Sequence, residues 1–222
     1  MDENLKQKIR RDFDRIALYD IEMWNHNNHY HSFLLDRLPN KGNLALDIGC
    51  GTGEFSRLLG QRFDRVVALD LSPNTIEIAR QRSQDYQNID YLVADILNWI
   101  PSEQFDAIVS IATLHHLPVE NLLPALKTAL KPGGKLVILD LLQHEGIKDF
   151  LSDLIAVPLN KLFLLQNRHI KQPPEAIEAM KEHLRTDEFL TLSQVKQIYL
   201  KLLNKAKIKK HLFWRYSVVW QK

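Results

Sequence analysis

Three glycines at alternate positions, Gly49, Gly51 and Gly53, follow the apolar run Leu44-Ala45-Leu46-Asp47-Ile48 and precede a segment of helical pattern that opens at Glu54. Glycine leaves the backbone bare where a side chain would block a ligand lying along it. An acid stands at the end of each of the next two apolar runs, Asp70 after Val66-Val67-Ala68-Leu69 and Asp95 after Ile89 to Ala94. A carboxylate at the place of Asp70 can accept hydrogen bonds from both hydroxyls of a ribose. Charge-assisted bonds of that kind contribute about 1.5–3 kcal/mol each. Asp95 can accept a bond from an exocyclic adenine amine. A glycine bend and two acids at successive run ends therefore describe a nucleoside site.

The same spacing excludes other nucleotide loops. A dinucleotide fingerprint needs a third glycine at the sixth position. Counted from Gly49 that position is Glu54, and from Gly51 it is Ser56. A diphosphate at this helix start would meet the Glu54 carboxylate. No Gly-Lys-Ser or Gly-Lys-Thr follows, so a Walker loop is absent. The loop favours a nucleoside ligand without a diphosphate.

These residues need strands that end together. The runs 44–48, 66–70, 89–94, 105–111 and 135–142 are mostly continuous in apolar residues, as in strands buried on both faces of a parallel sheet. Helical segments lie between them. Ser72-Pro73 reads as an N-cap and a first-turn proline. Leu122, Leu123, Leu126 and Leu130 form an apolar stripe after Pro118, and Lys131-Pro132-Gly133-Gly134 ends that helix. Alternating strands and helices predict an α/β fold, a doubly wound, mostly parallel sheet with right-handed crossovers. All eight glycines fall between Gly42 and Gly146. Residues 2–38 read as helical with a polar break at Asn25–Asn28, and residues 147–185 as helical with breaks at Pro158 and Pro173-Pro174. A last helix runs from Thr191 or Ser193 to about Leu203, and a strand pair closes the chain between Lys205 and Lys222.

Composition agrees with a folded protein: 222 residues, 45% hydrophobic and 25% charged, without an apolar run of membrane-spanning length. The single cysteine, Cys50, excludes an internal disulfide and a cysteine metal cluster. The charged start carries no secretory signal, so a cytoplasmic location is expected.

The sequence resembles the class I S-adenosylmethionine-dependent methyltransferases of small-molecule type. Asp47-Ile48-Gly49-Cys50-Gly51-Thr52-Gly53 matches that family's first motif, Asp70-Leu71-Ser72 its second and Ala94-Asp95 its third. Phe105 to Ser110 matches the fourth strand and Leu130 to Gly134 the turn before the fifth. The resemblance implies a Rossmann-like, seven-stranded sheet with an antiparallel last strand and a helical cover. It implies one methyltransferase domain over 1–222: a lid at 1–40, a cofactor core at 41–142, an insertion at 147–185 shaping the substrate pocket, and the last helix and strand pair at 186–222. The cofactor is then S-adenosylmethionine and the product S-adenosylhomocysteine. Asp47, Gly49, Cys50 and Gly51 form the cofactor loop, with both glycines letting the methionine part approach. Asp70 holds the ribose, Leu71 packs on the adenine, Asp95 and the Ile96 amide read its edge, and backbone near Ile111 receives the cofactor's amino group. Tyr19 covers the methionine end.

Methyl transfer to a hydroxyl or protonated amine also needs a proton removed, a task suited to histidine. His115 and His116 follow the fourth strand and are the catalytic candidates; a structural or cofactor-ordering role fits them as well. Trp24, His26, His29 and Tyr30, with His31, read as a polar lid touching cofactor and substrate, or as a surface helix cap, and Trp24 as a cation–π partner or a core residue. No carboxylate or cysteine joins these histidines at ligand spacing, so no metal is expected. Cys50 reads as a small loop residue rather than a nucleophile. Leu151, Leu154, Ile155, Leu162, Leu164 and Leu165 suggest an apolar pocket wall or ordinary core. The expected partner is a small, partly apolar methyl acceptor. No acid follows Glu188, whereas Lys196, Lys201, Lys205, Lys207, Lys209, Lys210, Arg215 and Lys222 do. Lys205, Lys207 and Lys209 read as an edge-strand guard rather than an RNA surface. An RNA methyltransferase, a non-catalytic cofactor binder and a nicotinamide oxidoreductase are the competing readings.

Overall fold

The computed structural model describes residues 2–20, 22, 24–99, 101–143, 158–159, 173–185 and 187–222. Seven strands form one sheet in the order β3-β2-β1-β4-β5-β7-β6. They are β1 (Gly42–Ile48), β2 (Phe63–Asp70), β3 (Ile89–Val93), β4 (Phe105–Ile111), β5 (Leu130–Leu141), β6 (Lys207–His211) and β7 (Arg215–Gln221). The pairs among β1 to β5 are parallel; β7 lies antiparallel between β5 and β6. The α/β class and the antiparallel end of the sheet are as the sequence predicts.

Helices cover both faces. Among the described residues they include α1 (Glu3–Ala17), α2 (His31–Leu35), α3 (Glu54–Gly60), α4 (Pro73–Arg82), α5 (Val119–Ala129), α6 (Pro174–Leu184) and α7 (Leu192–Leu202). Burial on two sides explains the continuous apolar runs. Leu44, Leu46 and Ile48 of β1 pack with Leu122, Leu123 and Leu126 of α5 and Val195 and Tyr199 of α7. Ala45 between them faces the other layer, with Leu34 of α2 and Phe55 and Leu59 of α3. Caps fix the helix starts. Ser72 Oγ accepts from the Thr75 N–H at 3.1 Å ahead of Pro73, and Thr191 and Gln194 form a capping box.

Three expectations change. The polar break in the N-terminal segment is wider than Asn25–Asn28: helix α1 ends at Ala17 and the next helical turn starts at Asn28. The Leu18, Tyr19 and Asp20 N–H groups close on carbonyls of the last turn of α1, and Asn25 Oδ1 accepts from the Asn27 and Asn28 N–H groups at 2.8 and 2.9 Å. Strand β2 starts three residues earlier than predicted, because Phe63 is buried in the layer of α3. Strand β5 also starts earlier, at Leu130: the Lys131-Pro132-Gly133-Gly134 turn lies within it, tied to the chain end by Gly133 N–H to Lys222 C=O at 2.9 Å. Leu151, Leu154, Ile155, Leu162, Leu164 and Leu165 lie outside the described residues, as does most of the 147–185 insertion.

Candidate functional site

Strands β1, β2 and β3 run to one side of the sheet and β4 starts the other, so the order reverses between β1 and β4. Ligands of open α/β sheets bind outside the carboxyl ends of strands at such a reversal. A pocket lies there, lined by the loop 47–52, Asp70, Leu71, Asp95, Ile96 and Ile111. The sequence motifs thus meet at one place because parallel strands bring their carboxyl ends to the same edge.

The glycine bend is built for left-handed backbone. Gly49 and Gly51 have φ of +69° and +55°. A Cβ on Gly49 would lie 2.1 Å from Thr113 Oγ1, whereas one on Gly51 would meet nothing within 4 Å. Gly49 therefore serves close packing against the β4 loop, and Gly51 faces open space in the pocket. Beside it, Asp70 accepts from the Gly51 N–H at 3.1 Å and the Ser72 N–H at 2.9 Å. Burial pushes the Asp70 carboxyl up, opposed by those backbone bonds.

Asp47 is 1% exposed and accepts from Ser56 Oγ at 2.6 Å, joining β1 to α3. Burial pushes it up to about 7. Cys50 is buried and its thiol is pushed far up by burial and by Asp70 and Asp47, so it is not a thiolate nucleophile. Ala112, after β4, has a φ of +51°, a strained value for alanine at the pocket wall.

Several candidate residues take other places. Asp95 lines the pocket, yet its carboxylate already accepts from Leu97 N–H at 3.0 Å and Asn98 Nδ2 at 3.0 Å and pairs with Lys6 Nζ at 3.1 Å. Tyr19 is not among the lining residues; its neighbour Asp20 is. Asp20 accepts from Thr52 Oγ1 at 2.8 Å and from Arg82 Nη1 at 2.5 Å. Trp24, His26, His29 and Tyr30 do not line the pocket either. Their rings gather on the β6–β7 turn: His26 stacks on Phe213 at 4.8 Å, Trp24 and His29 meet Phe213 edge-on, and the Tyr30 hydroxyl donates to Leu212 C=O at 3.0 Å. Asn25, Asn27 and His31 face the pocket instead. A turn at His26–Asn27, closed by Asn25 Oδ1 on the Asn27 and Asn28 N–H groups, leads into the short helical turn at Asn28–Tyr30.

The paired histidines also separate. His116 lines the pocket; His115 does not. His115 Nδ1 sits 2.6 Å from Asp140 Oδ1, and its N–H donates to Asp140 Oδ2 at 2.9 Å. Burial, with the charges of His115, His183 and Lys8, pushes His116 down to about 2. Its Nε2 is buried without a hydrogen-bond partner. Asp187, outside every sequence motif, lies 3.6 Å from His116 Nδ1.

Helix α1 closes one wall with Ile9 and Phe13. Asp14 anchors it, accepting from Ser72 Oγ at 2.6 Å and Asn74 N–H at 3.2 Å. The described lining holds five carboxylates, Asp20, Asp47, Glu54, Asp70 and Asp95, and no lysine or arginine. Lys6 and Arg82 pair with Asp95 and Asp20 from outside the lining, yet the surface a ligand meets is acidic and favours a cation over a phosphate.

Residues 46–138 match a family model described as a methyltransferase domain. A demethylmenaquinone methyltransferase of Tropheryma whipplei (strain Twist) is 32% identical over 142 residues, 59% of this chain and 58% of that protein. The chain thus spans less than two thirds of that relative's length. An uncharacterized methyltransferase of Mycobacterium tuberculosis (strain ATCC 25618 / H37Rv) is 28% identical over 206 residues, 89% of this chain and 96% of that protein. A solved structure described as a DhpI-SAM-HEP complex aligns with a TM-score of 0.68 at 18% identity, covering 99% of each chain, which is a likeness of fold.

Proposed function

We propose, for a chain that carries a class I S-adenosylmethionine-dependent methyltransferase domain, that it transfers the methyl group of that cofactor to a small, partly apolar acceptor and releases S-adenosylhomocysteine. The observation that carries this reading is the pocket wall: five carboxylates, no lysine or arginine, and open space at Gly51 beside Asp70. A sulfonium with an α-amino group matches that charge; a dinucleotide diphosphate does not.

When bound, the cofactor supplies a methyl carbon activated by sulfonium, open to in-line displacement. The chain's own part is positioning, which contributes about 7–11 kcal/mol to such a reaction. Asp70 takes the ribose hydroxyls on the lone pairs left by Gly51 and Ser72. Leu71 and Ile96 flank the base. Lys6 competes with the adenine amine for Asp95, so the Ile96 amide carries the edge contact. Asp20, held by Arg82 and Thr52, replaces Tyr19 at the methionine end, beside Asp47 and the backbone near Ile111. Phe13, Phe55 and Leu117 give the wall its apolar part, in keeping with a partly apolar acceptor.

His116 is the histidine of the pair placed to touch the acceptor. Its depressed basicity makes it a weak proton acceptor, since a general base works best with a pKa near the working pH. Contact through the part of the ring that lines the pocket, ordering the acceptor, fits a histidine with a buried Nε2 better than proton removal.

Isothermal calorimetry with S-adenosylmethionine, S-adenosylhomocysteine and NADH tests the reading. Saturable binding of the first two and none of NADH is expected. Failure to bind either sulfur compound at millimolar concentration overturns it, and a screen of metabolite extracts with labelled methyl donor then identifies the acceptor.

A further inference from the structure

Around Asp187 the structure places three imidazole nitrogens. His116 Nδ1 lies 3.6 Å from Oδ1, while His115 Nε2 and His183 Nε2 lie 3.9 and 3.5 Å from Oδ2. All three distances exceed the roughly 2.7–3.2 Å of a nitrogen–oxygen hydrogen bond. They approach the separation of two ligands on one small ion. With metal–ligand bonds of about 2.0–2.1 Å, tetrahedral neighbours stand about 3.3–3.4 Å apart. His115, His116 and Asp187 each offer one ligand atom, and these atoms lie within 4.8 Å of one another.

Two further observations point to an ion rather than to a chain of hydrogen bonds. The first is the outer support of His115. Asp140, which is fully buried, engages Nδ1 at 2.6 Å, and its other oxygen accepts the His115 backbone N–H at 2.9 Å. A carboxylate behind an imidazole in this way fixes the tautomer and turns the lone pair of Nε2 outward, the usual support of a ligating histidine. The second is His116. Its side chain is 8% exposed, and Nε2 has no hydrogen-bond partner. Ligation through Nδ1 puts the ring proton on Nε2, so the ring joins no hydrogen-bond chain through that atom.

We propose that His115 Nε2, His116 Nδ1 and an Asp187 carboxylate oxygen bind one divalent transition-metal ion, with zinc the best match to the donors. Two imidazoles and one carboxylate suit zinc, and three protein ligands leave a coordination position open. His183 stands beside the same carboxylate. The ion clamps the loop after β4 to the segment after α6, and so fixes the pocket wall that His116 forms. The sequence hid this site: Asp187 is 71 positions beyond His116, and no local spacing marks it.

The test uses the whole chain without S-adenosylmethionine, so its outcome is independent of the proposed transfer activity. After chelator treatment, equilibrium dialysis against micromolar Zn²⁺ is expected to return one ion per chain. Co²⁺ in its place is expected to give intense visible bands of tetrahedral type, and Zn²⁺ is expected to raise the melting temperature. Asp140→Asn is expected to weaken Zn²⁺ binding by about tenfold to hundredfold, the usual cost of losing such a support, and Asp187→Asn by more. Circular dichroism checks that both variants fold, and the Co²⁺ spectrum of the unaltered chain stands without them. The proposal is overturned if the unaltered chain retains no stoichiometric metal. It is overturned equally if folded Asp187→Asn and Asp140→Asn bind as well as the parent, which would place the metal elsewhere.

Discussion

Asp70 engages Gly51 and Ser72 through its two oxygens, and each oxygen keeps lone-pair capacity toward the pocket. Asp70→Asn removes the charge and half of that capacity. Calorimetry is expected to show S-adenosylmethionine affinity reduced about tenfold to hundredfold, from bonds worth about 1.5–3 kcal/mol; unchanged affinity removes the ribose assignment. The two glycines separate packing from binding. Both substitutions to alanine incur about 1–2 kcal/mol for left-handed backbone. Gly49→Ala also drives a methyl into Thr113 and is expected to lose a further 1–3 kcal/mol or so in denaturant unfolding. Gly51→Ala is expected to keep more stability yet lose ligand affinity, because its methyl enters open pocket. Equal unfolding midpoints for the two would contradict that division. Asp47 carries a pH signature. Its carboxyl titrates at about 7 in the fold against an ordinary 3.8. Below 3.8 the group is protonated in both states and has no effect. Between the two values the unfolded chain loses its proton first, so stability falls as pH rises, and above about 7 the loss is complete. Asp47→Asn keeps an acceptor for Ser56 and is expected to be the more stable form near pH 8, with the difference vanishing near pH 4.

At the level of elements, α1 forms one pocket wall and is tied both to the sheet side and, through Arg15 to Glu182 and Asp12 to His183, to α6. Asp14 ties it to Ser72, whose hydroxyl also caps α4, and Lys6 ties it to Asp95. The following strand of chain is pinned by Arg82 to Asp20 and by Arg57 to Glu22. The Asp14–Ser72 bond is worth about 1 kcal/mol, small enough for local opening to break it. Asp14→Ala is expected to speed release of S-adenosylhomocysteine several-fold in stopped-flow measurements while lowering global stability by only about 1 kcal/mol. An unchanged release rate would mean that α1 does not gate the pocket.

For the molecule as a whole, the sheet has one strongly charged edge. Strand β6 ends the order, and Lys207 and Lys209 on it are exposed. Charged edge strands discourage pairing between chains. Replacing both lysines with valine is expected to leave the unfolding midpoint close to the parent's and to raise concentration-dependent light scattering. A double variant whose scattering matches the parent's would show that the edge is guarded by other means. Among the described residues no helix is long and apolar enough to cross a membrane.

The sequence by itself determined the sheet, its helices and the cofactor loop. Apolar runs, caps and glycines act over a few residues, so Leu44 to Glu54 and Ser72-Pro73 announce their structure locally. The motif ends Asp47, Asp70, Asp95 and Ile111 were legible for the same reason, because parallel strands align them at one edge. Only the tertiary structure decided what each side chain meets. It gave Asp95 to Lys6, turned Trp24, His26, His29 and Tyr30 onto the β6–β7 turn, and brought Asp20 into the pocket in place of Tyr19. It also set Asp140 and Asp187 beside a histidine pair from which both are remote in sequence. Contacts of that range depend on how the N-terminal segment and the β6–β7 hairpin pack against the sheet, which no window of residues records.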